Sequence, residues 1–192
     1  MNQSNQLYGP TVARQETVTH LKMTSASELR PVHTPIAGFE VRQSKVPCPE
    51  LSRFFYATVG GDWLWTDRLQ WTYAQWKEWV SSPGYECWIG YLNDTPSGYF
   101  ELQGMGSPEV ELAFFGLLPQ FTGHGLGRVL LTRALERAWS GTPQKVWLHT
   151  SSFDHPVALK NYLARGFRVA FTETFMVNKP AQPIGPWPGS QK

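Results

Sequence analysis

A glycine-rich stretch, residues 117–128 with the sequence LLPQFTGHGLGR, carries the clearest chemical signal in the chain. An apolar run precedes it and apolar residues at helical spacing follow it, so the glycines join a strand to the start of a helix. Free N–H groups and the helix dipole favour an anion there, and glycines let a phosphate approach the backbone. The stretch lacks the Lys-Ser/Thr pair of a P-loop, and Arg128 stands where a dinucleotide fingerprint needs a third glycine. It predicts a phosphate site of another kind; a turn used only for packing is the alternative.

Two side chains elsewhere could move protons. Glu111 lies in an otherwise apolar run, and apolar surroundings raise a carboxyl pKa so that the group can act as a base. His149 ends a short apolar segment, and an imidazole with a pKa near ~6.5 relays protons at neutral pH. Each has a structural alternative, an exposed outer face for Glu111 and a bond to a backbone carbonyl for His149. Glu101 is a further candidate for the base.

A tryptophan-rich segment follows the first helical pattern. Trp63 and Trp65 are two residues apart, which in an extended loop points both rings the same way. With Asp62 or Asp67 nearby, they would form an aromatic wall and a carboxylate for a flat or cationic ligand. Filling of a core is the alternative for these rings. His, Cys and Asp residues show no metal-ligand spacing, so we expect no metal site.

The elements that must position these residues follow from periodicity and from the Gly and Pro breaks. Alternation predicts strands at 38–44, 85–92, 98–103, 109–117, 145–149 and 167–177. Helical spacing predicts helices at 50–59, 72–80, 123–138 and 155–164. The strand, helix and strand from 109 to 149 form one right-handed βαβ unit with two parallel strands. The expected class is α+β with a mixed, mostly antiparallel sheet.

Length and composition bound the organisation. The 192 residues suit one domain, which we place at 36–177. Residues 1–35 are polar and predict a flexible arm with a short docked piece at 27–30, and residues 178–192 predict a Pro-rich tail. A net charge of +2 and 14% aromatic residues argue against nucleic-acid binding. Two cysteines, no signal peptide and no apolar run of ~18 residues predict a cytoplasmic protein without a membrane partner.

Two sequence blocks resemble a known family. Gln120-x-x-Gly123-x-Gly125 resembles the acyl-CoA signature of the GNAT N-acetyltransferase superfamily. Ala158-x-x-x-Tyr162-x-x-x-Gly166-Phe167 is similar to a later block of the same family, and the two occur in the family's order. The resemblance covers residues 38–177 and implies the GNAT fold, in which a parallel strand pair splays apart.

The resemblance also implies a site for acetyl-CoA as co-substrate. The pantetheine arm would lie between the splayed strands near Leu117, the pyrophosphate on the amides of 121–127, and the acetyl carbonyl where the 109–117 strand bulges. Arg128 would assist electrostatically or face solvent. His155 stands where the family often has Asn, and it would either bond CoA or cap the helix. The residues assigned to CoA are Leu117, Gln120, Phe121, Thr122, Gly123, His124, Gly125, Leu126, Gly127, Arg128 and His155.

The remaining roles also come from the resemblance. Tyr162 occupies the position of the family's general acid beside the CoA sulfur; a core aromatic is the alternative. The leading expectation is an N-acetyltransferase that acts by direct attack on a small-molecule or amino-acid-like amine. A protein N-terminal or lysine acetyltransferase and a non-catalytic CoA-binding module are the alternatives, and a homodimer is the expected assembly if the chain associates.

Overall fold

A seven-stranded sheet forms the centre of the computed structural model, which describes residues 9–186 and residue 190. The strands are β1 (Thr11–Met23), β2 (Phe39–Ser44), β3 (Glu86–Leu92), β4 (Thr95–Gln103), β5 (Glu109–Leu117), β6 (Lys145–Ser151) and β7 (Arg168–Pro180). The helices are α1 (Pro49–Gly60), α2 (Tyr73–Val80), α3 (Leu126–Trp139) and α4 (Ala158–Ala164). The order across the sheet is β2-β3-β4-β5-β6-β1-β7. The predicted α+β class with a mixed, mostly antiparallel sheet is confirmed.

Local signals set the helix ends. Pro49 occupies the first turn of α1, where its missing N–H costs nothing. The Thr72 side chain and Gln75 form a capping box that starts α2. Gly166, with φ of 108°, follows α4 and turns the chain into β7. These signals explain why the predicted helices occur close to their expected positions.

Helices cover both faces of the sheet. On one face α3 buries Leu130 and Leu135 against the strands, and Phe100 of β4 belongs to the same core. On the other face Phe55 of α1 stacks on Tyr99 of β4, with 4.8 Å between ring centroids. Successive residues of β4 therefore enter opposite cores, as the period of a strand dictates.

The parallel pair splays in the way that the resemblance implies. β5 and β6 pair from Glu109 opposite Lys145 to Glu111 opposite Trp147, and the pairing ends there. On its other side β5 changes register against β4, so that Ala113 has no cross-strand partner. This bulge bends β5 and opens a gap between the two parallel strands.

The N-terminal segment corrects one expectation. Residues 11–23, predicted as part of a flexible arm over 1–35, form β1 in the interior of the sheet between β6 and β7. Leu21 and Met23 are buried in the main core. Pairing on both edges satisfies the backbone of a strand whose composition is largely polar. The docked piece is present near its predicted place, since the N–H of Arg30 donates to the carbonyl of Arg165; residues 1–8 lie outside the described residues.

The C-terminal segment corrects a second one. Residues 178–180, predicted to begin a Pro-rich tail, are the end of β7, and the Lys179 side chain is buried there. Beyond the strand, the N–H of Gly185 donates to the carbonyl of Gly61 at 3.3 Å, so this part packs beside α1. Residues 187–189 and 191–192 lie outside the described residues. None of the helices within the described residues is long and apolar enough to span a bilayer.

Candidate active site

The glycine-rich stretch within residues 117–128 forms a loop, the glycine loop, that leads into the N-terminus of α3. Gly125 is the N-cap residue with φ of 79°, and Gly123 has φ of 85°, both in the left-handed region that favours glycine. The N–H groups of the first turn of a helix have no partner within it. Gln120 and His124 are exposed beside this turn, and Leu126 is buried and anchors it. The loop has the geometry of an anion site.

Arg128 lies over the same loop. Its guanidinium is 3.2 Å from the point where a Cβ on Gly125 would stand. The side chain therefore folds back toward the helix N-terminus, which favours the electrostatic interpretation over a purely solvent-facing one.

Two of the amides expected to bind phosphate are already used. The N–H of Phe121 donates to the carbonyl of Leu118 at 2.9 Å, and that of Thr122 donates to the carbonyl of Pro119 at 3.3 Å. These bonds close the 3₁₀ turn that joins β5 to the loop. The expectation that amides from 121 onward would all face the phosphate is therefore wrong for these two residues.

Tyr162 lies beside the gap between β5 and β6. Its ring packs edge-to-face on Phe115 of β5, at 6.0 Å, and on Phe167, at 6.2 Å. Burial raises the pKa of the phenol, so the group stays protonated. Leu117 ends β5 next to Gly127 of the loop. The tyrosine is thus a core aromatic and, at the same time, a neighbour of the splayed strands.

A cleft of about 620 Å³ opens on the α1 side of the sheet and contains both predicted proton-transfer residues. The Nδ1 atom of His149 is 3.6 Å from the Oε1 atom of Glu111. The carboxylate raises the pKa of the imidazole above its ordinary value, and partial burial opposes this. Glu111 therefore does not point outward from the strand; it forms a carboxylate–imidazole pair with His149 at the cleft.

The two predicted tryptophans also line the cleft. The Nε1 atom of Trp65 donates to Asp154 at 2.8 Å, and the Trp63 ring meets the His155 ring edge-to-face at 4.9 Å. The segment is not extended, because Trp63 ends a 3₁₀ turn and Leu64 is left-handed with φ of 58°. Both rings reach one cleft by a sharp turn and not by strand alternation.

Asp62 does not join them. Its side chain is exposed, and it is not among the residues that line the cleft. Asp62 is the middle residue of the 3₁₀ turn that Trp63 ends. Asp67 lines the cleft instead, in an ion pair with Lys179 at 2.8 Å.

Glu101 and His155 have structural partners. The Glu101 carboxylate is fully buried and accepts hydrogen bonds from Ser52 at 2.6 Å and from Trp79 at 2.8 Å. Burial raises its pKa, but it does not line the cleft. The Nδ1 atom of His155 accepts a hydrogen bond from the N–H of Val157 at 3.2 Å, so it holds the turn before α4, whose first helical turn receives no side-chain cap.

The cleft also contains charged residues that the sequence does not single out, among them Glu16, Arg68 and Asp154. Glu16 lies on β1, whose polar composition predicts a flexible arm, and it accepts a hydrogen bond from Ser151 at 2.6 Å. Asp154 follows the Ser-rich end of β6, where a polar cluster was a usable signal. Arg68 adjoins Asp67, a pattern that is typical of a solvated charge pair. Within the described residues, no cluster of His, Cys, Asp and Glu could hold a metal ion.

The sequence also matches a known protein family. A family model described as "Acetyltransferase (GNAT) family" matches residues 47–167, more than half of the chain. The chain belongs to the GNAT acetyltransferase family. The matched range runs from α1 to the end of α4 and includes the glycine loop, Glu111 and His149, whereas β1 and β7 lie outside it. The family predicted from the two sequence blocks is confirmed.

The first solved structures that the chain matches are longer than it is. A GCN5-related N-acetyltransferase from Sphaerobacter thermophilus matches with a TM-score of 0.62 and 15% identity over 94% of this chain and 55% of that one. Another from Kribbella flavida gives 0.56 and 18% over 90% and 61%. A tandem GNAT protein from the clavulanic acid biosynthesis pathway gives 0.56 and 16% over 85% and 53%. This GNAT chain spans 53–63% of the length of the first structures that it matches. No curated protein sequence matches it.

Proposed function

We propose that this GNAT protein is an N-acetyltransferase that moves an acetyl group from acetyl-CoA to a primary amine of a small molecule. The observation that carries the proposal is the Glu111–His149 pair in a cleft beside the point where β5 and β6 separate. Family membership supports acyl transfer. The cleft adds a proton acceptor and an aromatic pocket at the strand gap.

The residues present fit acetyl-CoA. The first-turn amides of α3 and the Arg128 guanidinium over Gly125 form a cradle for a pyrophosphate. Past Glu111, the edge of β5 that faces β6 is free of strand pairing, so its backbone groups can bond the pantetheine amides. When bound there, acetyl-CoA supplies a thioester whose carbonyl is open to direct attack by an amine.

Residues of this chain carry out the two proton transfers, from the amine and to the leaving thiolate. An amine must lose a proton to attack, and the Glu111–His149 pair provides the acceptor for it, directly or through water. Tyr162, which packs on Phe115 of β5, is the residue that we assign as proton donor to the leaving thiolate. Since the amine attacks the thioester directly, no covalent enzyme intermediate is needed.

The cleft favours a small acceptor over a protein one. It is lined by Trp63, Trp65, Tyr56 and Phe114 and is bounded by β7. A pocket of about 620 Å³ is the size that encloses a small molecule. A cytoplasmic location and a homodimer stay predictions.

Thiol release from acetyl-CoA across a panel of amines, amino acids and peptides tests the proposal. We expect turnover with a small amine and little with peptides. Tyr162→Phe keeps the packing on Phe115 and deletes the proton donor, so kcat should fall by about 100-fold while CoA affinity is preserved. An unchanged kcat with a good acceptor would assign Tyr162 to the core alone. Acetyl-CoA binding without any turnover would support a non-catalytic module.

A further inference from the structure

We propose that the acceptor carries a carboxylate as well as its amine, and that Arg68 binds this carboxylate inside the cleft. The inference rests on the proposed function and names its substrate class: amino-acid-like amines. The evidence for it is the environment of the Arg68 guanidinium, which has no role in the proton transfers proposed above.

Aromatic rings hold the Arg68 guanidinium in place. Its central carbon lies 3.8 Å from the centroid of the Trp79 ring, 4.4 Å from that of Trp71 and 4.6 Å from that of Phe114. Rings cover the faces of a planar guanidinium and stabilise its charge, but they cannot accept its in-plane N–H groups as a carboxylate does. The contacts therefore fix the orientation of the group and leave its hydrogen-bonding edge for another partner.

One nitrogen of that edge lacks a protein partner. The Nη1 atom of Arg68 is buried and has no hydrogen bond within the described residues. By contrast, Arg137 bonds Glu86 at 2.5 Å and Lys179 bonds Asp67 at 2.8 Å. A buried charged donor without an acceptor is costly. Such a group in a ligand cleft indicates that a ligand supplies the acceptor.

The neighbouring carboxylates are engaged elsewhere. Both oxygens of Glu101 accept hydrogen bonds, one from Ser52 and one from Trp79. Glu111 faces His149. Burial lowers the pKa of Arg68, and these two acids oppose that effect, so the guanidinium remains a desolvated cation. An incoming carboxylate would find a charged, oriented donor with little water to displace.

The cleft thus offers two different polar ends to one ligand. Arg68 and the Glu111–His149 pair both line it, and Phe114 and Trp65 lie in the same wall. An amine at the pair and a carboxylate at Arg68 would use both ends, with the rest of the molecule against the rings. A purely cationic amine would leave Arg68 without a partner and add a second positive charge near it.

The test uses matched substrate series. Several amino acids are each compared with the corresponding amide and with the decarboxylated amine, and aminoethyl phosphate is included as an amine with a different anion. We expect kcat/KM for the best amino acid to exceed that for its amide and its amine by about 100-fold, because a site built for a charged acceptor rejects ligands that lack it. Equal or better turnover of the decarboxylated amines, or a preference for the phosphate, would overturn the carboxylate assignment.

Variants at Arg68 separate recognition from packing. Arg68→Met keeps an unbranched apolar stem between the rings and removes the charge, so the preference for amino acids should disappear while Tm does not fall. Arg68→Lys keeps the charge and should retain part of the preference. Arg133→Met removes an exposed charge at a site distant from the cleft and should change nothing. A lower Tm in Arg68→Met with an undiminished preference for amino acids would make Arg68 a structural residue.

Direct binding keeps this inference distinct from the proposed function. Each member of the series is titrated against the CoA-loaded protein by calorimetry, and by the fluorescence of the tryptophans that contact Arg68. If no amine releases thiol, the acetyltransferase proposal fails, yet tighter binding of amino acids than of their amides would still support Arg68 as a carboxylate site. If amino acids and amides bind equally, the carboxylate inference fails even when turnover occurs.

Discussion

At the residue scale, the Glu111–His149 pair exists because β5 and β6 run parallel as neighbours. Glu111 is the last residue of β5 that pairs with β6, and His149 lies two residues past its partner Trp147. Their side chains meet at 3.6 Å on the cleft side of the sheet. The carboxylate stabilises the imidazolium, so the pKa of His149 lies above its ordinary value and the basic form appears only at higher pH. The rate should therefore rise with pH as this pair loses its proton.

Removing the Glu111 carboxylate should shift the pH at which the rate rises. In Glu111→Gln the main cause of the raised His149 pKa is gone, so the acidic limb of the kcat/KM profile should shift to lower pH. Glu109→Gln is the matched control, because Glu109 lies on the same strand but pairs with Lys145. A limb that stays in place in Glu111→Gln, or moves equally in the control, would exclude His149 as the titrating group.

Some residues of the site can be predicted from the sequence and others cannot. Glu111, His149, Trp63 and Trp65 stand out because their types are unusual for their local context, and all four reach the cleft. Arg68 does not stand out: next to an aspartate it looks like a solvated pair, and only the fold brings rings from α2 and β5 around it. Residue type can be read from a sequence, whereas desolvation depends on neighbours far along the chain.

At the scale of elements, β1 shows the limit of composition. Its residues are mostly polar, yet Thr19, Leu21 and Met23 alternate into the core, while β6 and β7 pair with its two edges. Such a strand needs few apolar side chains, because its neighbours satisfy its backbone. The other strands and the helices were predictable because each carries a strong period and a Gly, Pro or Thr signal at its ends.

A substitution in β1 distinguishes a core strand from a flexible arm. Leu21→Ala removes a side chain that is 1% exposed and should lower the free energy of unfolding by about 2–5 kcal/mol. Lys22→Ala, the next residue along the strand, is exposed and should change it little. Thermal or urea unfolding measures both. Equal stability of the two variants would mean that β1 does not belong to the folded core.

At the scale of the whole molecule, ligand binding should stabilise the fold. Acetyl-CoA that binds only the native state adds about 2.7 kcal/mol at 100 times its dissociation constant, which raises Tm. Gly125→Glu should abolish this rise, since it places a negative charge where the pyrophosphate would lie. Gly125→Ala is the control, because it imposes the same left-handed strain at φ of 79° without the charge.

The outcome is measured by thermal unfolding with and without acetyl-CoA. Both variants should begin with a slightly lower Tm than the parent, and only Gly125→Ala should still respond to the ligand. A full response in Gly125→Glu would place the phosphate site away from the loop.

The position of β1 affects the order in which parts of the protein fold during synthesis. Thr11 pairs with Pro180, and Val18 pairs with both Ser151 and Glu173, so β1 leaves the ribosome long before its partner β7. Glu16 from β1 and Phe175 from β7 both line the cleft. During synthesis the glycine loop and α3 emerge well before β7 is complete, whereas the cleft is complete only when β1 and β7 have paired. Pairings this distant along the chain form slowly. A nascent chain, or one truncated before β7, would therefore form the glycine loop before it forms the complete cleft.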